Sequence, residues 1–133
     1  MPYAGVIDLL ERFGESEVIQ LTDRAAPLTG DVVEDVAEKA LADASAEIDS
    51  YIGVVYTLPL PSVPDVLLRV CCDIVRYRLY DDKATDEVSR RYKEAVRWLE
   101  QIAQGKVSLG FSDTPPTGVA FTAPARIMQG LDY

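Results

Sequence analysis

The sequence predicts an all-α fold, a compact bundle of four to five helices followed by an extended, partly β C-terminal tail. Three observations carry that expectation. Apolar residues recur at helical spacing in successive segments up to about residue 105. Each segment is closed by a glycine, a proline or a pair of aspartates. The chain of 133 residues, 48% of them apolar, suits a single hydrophobic core.

Val6, Leu9, Leu10 and Phe13 repeat at helical spacing and Gly14 follows, which predicts a short helix over Gly5–Phe13. A further turn or two is expected over Ser16–Leu21, and a loop over Asp23–Gly30 with Pro27 inside it. Asp31 with Glu34 has the spacing of a capping box. Behind it, Val33, Val36, Ala37, Ala40, Leu41, Ala44, Ile48, Tyr51, Ile52 and Val55 form one stripe, while Glu34, Asp35, Glu38, Asp43, Glu47 and Asp49 lie largely off it. That pattern predicts a long amphipathic helix over roughly Val32–Val55. Pro59, Pro61 and Pro64 remove backbone donors and push their preceding residues to extended angles, so Thr57–Pro64 is expected to be a stiff apolar elbow.

Ser62 and Asp65 suit a second capping box with Pro64 in the first turn, and Val66, Leu67, Val70, Cys71, Ile74 and Val75 carry a helix to about Tyr80. This helix is apolar over a wide arc, as a central one would be. Asp81-Asp82-Lys83 interrupts the pattern. Val88, Tyr92, Ala95, Val96, Leu99, Ile102 and Ala103 then mark a last helix closing at Gly105, with Asp86 and Glu87 at the positive end of its dipole. Two domains of unequal kind follow: a helical body over 1–105 and an extended tail for partner contacts over 106–133. Within the tail, Lys106–Ser112 and Gly118–Ala123 alternate in a strand-like way. An isolated hairpin is marginal in water, so such strands need a neighbour.

Composition excludes much chemistry. There is no histidine, which removes the usual neutral-pH general base, the serine and cysteine triads and His-ligated metal sites. Cys71 and Cys72 are adjacent, point about 100° apart on a helix, and are expected to be small buried hydrophobes in a reduced setting. No metal, cofactor or enzymatic activity is expected. Carboxylate pairs such as Asp81/Asp82 and Asp86/Glu87 fit helix ends and solvated faces rather than a catalytic pocket. Gly105-Lys106 lacks the earlier glycine and the following hydroxyl of a phosphate loop. No apolar run reaches the length of a membrane span, and the N-terminal residues lack a signal-peptide pattern.

The net charge is −9 and unevenly placed. Residues 1–65 hold three basic and thirteen acidic side chains, residues 66–104 eight and seven, and residues 105–133 two and two. Direct nucleic-acid binding is disfavoured by that balance. Arg76, Arg78, Arg90, Arg91 and Arg97 make the last two helices locally basic, a match for the acidic long helix within or between subunits. Tyr51, Tyr56, Tyr77, Tyr80, Tyr92 and Trp98 suit either an interface or the edge of the core. In the tail, Val107, Leu109, Phe111, Val119, Phe121, Ile127, Met128 and Leu131, with Arg126 among them, have no evident core of their own and are candidates for partner contacts.

An ordered series of short motifs goes further. Tyr3, Asp8-Leu9, Arg12-Phe13-Gly14, Gln20-Leu21-Thr22-Asp23, Ala40–Tyr51, Tyr56-Thr57-Leu58-Pro59-Leu60, Val63-Pro64, Cys72–Tyr77, Tyr80-Asp81-Asp82, Arg91-Tyr92 and Ala103–Gly110 together resemble the Mu-like phage head-tail connector, or neck adaptor, proteins. The resemblance covers about residues 3–111. It implies a structural virion protein, made in the bacterial cytoplasm, that forms a homo-oligomeric ring at the neck, twelve-fold if it matches the portal. Its partners would be other copies of itself, the portal protein and the tail-proximal neck protein, with packaged DNA passing through the channel without sequence-specific binding, and no membrane. The residues alone, without the resemblance, lead to a cytosolic helical adaptor or regulator acting as a monomer or dimer.

Overall fold

The computed structural model describes residues 2–110. Among them are five α-helices, α1 (Val6–Phe13), α2 (Glu15–Thr22), α3 (Glu34–Ile52), α4 (Asp65–Tyr80) and α5 (Asp86–Ala103), with a 3-10 turn over Asp81–Lys83 between the last two. Helix α4 is central. It packs against α3 and α5, which also touch each other, and the α1–α2 pair lies across α3 and α4.

The apolar arc of α4 explains its position. Leu67, Cys71, Cys72, Ile74 and Val75 are fully buried, and they meet Ile48 and Ile52 of α3, Leu99 and Ile102 of α5, and Leu9 and Val18 of the first two helices in one core. Each such aliphatic side chain contributes on the order of 1.5–3 kcal/mol relative to exposure. Both thiols are reduced and buried, as expected, and burial pushes Cys71 up to about 11 and Cys72 to about 12.

Two carboxylates tie the helices together. Glu47 of α3 accepts from Arg78 of α4 through one oxygen and from the Tyr92 hydroxyl of α5 through the other, the latter at 2.9 Å. Burial, then the bond to Glu47, holds the Tyr92 phenol up at about 12. Its ring stacks on Tyr77 with centroids 4.1 Å apart. Glu17 of α2 accepts from Arg76 Nε at 2.7 Å and from the Tyr80 hydroxyl at 3.2 Å, while the Arg76 guanidinium lies 4.6 Å above the Phe13 ring. Tyr80 and Tyr92 thus sit at the edge of the core with their hydroxyls bonded within the chain.

Helix ends differ from expectation at three places. Asp31 does not cap α3: its N–H donates to the Thr29 hydroxyl, and the residue before the helix is Val33, extended at φ −89° and ψ 99°. The Val33 N–H is instead met by the buried Thr22 hydroxyl at 3.0 Å, which itself donates to the Val18 carbonyl. One side chain therefore closes α2 and opens α3. Ser62 does not cap α4 either, because Pro64 is the capping residue and stands just outside the helix rather than in its first turn. Regular α3 stops at Ile52, three residues early, yet the Tyr56 N–H still donates to the Ile52 carbonyl at 2.8 Å, so the winding runs on towards Val55 and Tyr56.

Helix α5 starts as its sequence dictates, with the Thr85 hydroxyl accepting the Val88 N–H at 3.2 Å. It ends in a Schellman turn. Gly105 at φ +79° lets its own N–H reach Ile102 and the Lys106 N–H reach Gln101. The turn sends the chain back onto the body: Leu109 N–H donates to the Tyr56 hydroxyl at 2.8 Å, and Val107 and Leu109 lie half-buried against the core. Residues 106–110 form no strand, because the Leu109 donor is taken by a tyrosine rather than by a ladder. The body therefore extends to Gly110. The rest of the first expected strand and all of the second lie outside the described residues.

Candidate assembly interface

The arginines singled out by sequence divide into two kinds. Arg76 and Arg78 serve the chain's own fold through Glu17 and Glu47, and the Arg76 side chain is only 16% exposed. Arg90 and Arg91 lie on the outside of α5 and pair along the helix with Glu94 and Glu87, each at 2.9 Å. Exposed pairs one turn apart are worth only about 0.3–0.5 kcal/mol, so these guanidinium groups are readily exchanged for a partner's carboxylates. Lys93 and Arg97 continue the same exposed face, and Arg69 of α4 borders it, none of the three in an ion pair among the described residues. Arg69 and Lys93 were not distinguishable from ordinary solvated cations by type. The positional signal was the spacing of Arg90, Lys93 and Arg97 along one side of a helix.

A groove of about 510 Å³ runs between α4 and α5 beneath this face, lined by Arg69, Asp73, Arg91 and Trp98. Asp73 Oδ1 is buried there with no hydrogen-bond partner. Burial raises the Asp73 pKa, and the fields of Arg12, Arg91, Arg69 and Arg76 oppose the rise.

The acidic side is on α3. Glu34, Asp35, Glu38 and Asp43 are exposed and in no ion pair among the described residues. The body thus carries exposed carboxylates on one long helix and exposed cations on the last two, with their counter-charges only loosely held. The two cysteines are buried thiols, and among the described residues no group of three His, Cys, Asp or Glu side chains could hold a metal ion. No described helix is long and apolar enough to cross a membrane.

Of the apolar candidates, Val107 and Leu109 face the chain's own core, which leaves them half-covered before any partner arrives. Phe111, Val119, Phe121, Arg126, Ile127, Met128 and Leu131 lie outside the described residues.

Comparison with known proteins agrees with this picture of a small helical phage protein. A Mu-like prophage FluMu protein gp36 from Haemophilus influenzae is 50% identical over 80 residues, 60% of this chain and 57% of that protein's length. Gene product J of Escherichia phage Mu is 41% identical over 110 residues, 83% of this chain and 77% of the phage protein. The matched region thus spans less than two-thirds of the Haemophilus relative. A match that runs over residues 3–123, from the N-terminal segment through all five helices and into the tail, makes the chain a member of the Bacteriophage Mu Gp36 family.

Proposed function

We propose that this chain is a structural, non-catalytic component of a Mu-like phage particle that forms a homo-oligomeric ring at the neck and joins the portal vertex to the tail. The observation that carries the reading is the separation of charge on one body, with exposed carboxylates along α3 and exposed cations along α4 and α5. A closed ring needs a heterologous contact, in which one face of each subunit meets a different face of the next. Two unlike faces, a largely acidic one along α3 and one on α5 that mixes exposed arginines and a lysine with carboxylates, meet that requirement. Family membership supports the phage setting. The other partners in this reading are the portal protein and the tail-proximal neck protein. Packaged DNA passes through the ring without sequence-specific contact.

Light scattering coupled to size exclusion, across concentration and with and without the portal protein, tests the reading. A ring-sized complex formed with the portal is expected. A monomer or dimer indifferent to both would replace this reading with that of a helical adaptor.

A further inference from the structure

A second groove, of about 550 Å³, lies between the N-terminal segment and α3. Ala4 and Val6 form one wall, and Leu41, Ala42 and Ala46 the other. Its polar groups are largely engaged already. Ser45 Oγ accepts the Tyr3 N–H at 3.2 Å, Asp49 Oδ1 takes the Tyr3 hydroxyl, and the Gly5 N–H goes to Asp8 at 2.8 Å. What remains is an apolar trough with two carboxylates, Glu38 and Asp49, and no cation among its described lining residues. Small-molecule sites carry a few convergent polar groups that fix orientation, and this trough lacks them. It fits an apolar peptide segment with a cation beside it.

The chain contains such a segment. In residues 111–133 the only lysine or arginine is Arg126, and it is followed directly by Ile127 and Met128. Methionine adapts to irregular apolar surfaces, and a guanidinium can bind a carboxylate through two bonds. We propose that this groove is the seat for the Arg126-Ile127-Met128 segment of a neighbouring copy, with Ile127 and Met128 in the trough and Arg126 on Glu38, a seat that presupposes the ring proposed above. Reach decides between a neighbour and the chain's own body. Fifteen residues separate Gly110 from Arg126. Extended, they span roughly 50 Å, whereas a body of this size is roughly 35 Å across. Gly110 itself is held near Tyr56, just past the end of the helix that floors the groove. An intrachain seat would leave most of that length as slack; a neighbour uses it.

The test mixes two full-length variants, Ala42→Cys and Met128→Cys, with the portal protein and a bifunctional maleimide. Cys71 and Cys72 are buried with raised pKa values and react slowly. A bridged pair of chains is expected only when both variants are present, at roughly tenfold the yield obtained when Ser62→Cys, in the elbow, replaces Ala42→Cys. Glu38→Arg should reduce the yield several-fold, and Arg126→Glu on the partner should restore it. Rings that form normally while bridging stays at the Ser62→Cys level overturn the inference and leave the ring reading standing. Bridging confined to single chains carrying both cysteines also overturns it, in favour of an intrachain seat. A chain that stays monomeric with the portal overturns both.

Discussion

Asp73 is a carboxylate placed where its ionised form is poorly served. One oxygen is buried without a donor, and desolvation outweighs four neighbouring arginines. A folded-state pKa raised above the unfolded value binds the proton more tightly in the native chain. The stability linked to that proton is therefore full below the unfolded pKa of about 4 and is lost as pH rises through the folded value. Asp73→Asn keeps the shape and removes the titration. Urea unfolding at pH 7 should show the variant more stable relative to wild type than it is at pH 3.5; equal differences at the two pH values would contradict this. Tyr56 is the opposite case, a buried hydroxyl that serves a distant amide. Tyr56→Phe leaves the Leu109 N–H unpaired and should cost about 1 kcal/mol, with faster proteolysis after Gly105 as the local readout.

At the scale of elements, periodicity made α1, α3, α4 and α5 legible, because each buries one continuous stripe and the stripe is local information, whereas the short α2 was read only as a further turn or two. Leu67 opens the most apolar stripe, in the first turn of α4, and is fully buried. Leu67→Ala should cost about 2–5 kcal/mol in denaturant unfolding, with the upper end expected because α4 is packed on several sides and has little room to collapse. Caps were less legible. Asp31 and Ser62 had suitable neighbours in sequence, but Thr29 engages Asp31, and Thr22, eleven residues upstream, takes the donor that a cap would have satisfied. Alternation in Lys106–Gly110 looked like a strand because Val107 and Leu109 do face one way. They face their own core, and the Tyr56 hydroxyl that engages the backbone is 53 residues away. Arg76 and Glu17 are likewise 59 residues apart, so no local pattern could separate this structural arginine from the outward Arg90 and Arg91.

For the whole molecule, the division of charge makes assembly separable from folding. Arg90 and Arg91 hold exposed pairs within α5, and Arg91 adds only its field at Asp73, so reversing both to Glu should change the unfolding free energy by about 1–2 kcal/mol, most of it from Arg91. The same double variant should lose ring formation with the portal, and the wild-type ring should weaken as salt is raised through the range where the Debye length falls to about 10 Å and below. Assembly unchanged in both respects would exclude the α5 face as a subunit contact. The path of the chain beyond α5 has a mechanical consequence. Because Leu109 is tied to Tyr56, a pull on the chain past Gly110 reaches the body next to the end of its longest helix, and not at the Schellman turn that closes its last one. Tension arriving through the following residues pulls first across that tie and into the turn after α3. The final helix is thereby loaded in shear along its packed face, whereas a chain released at Gly105 would let it be peeled away turn by turn.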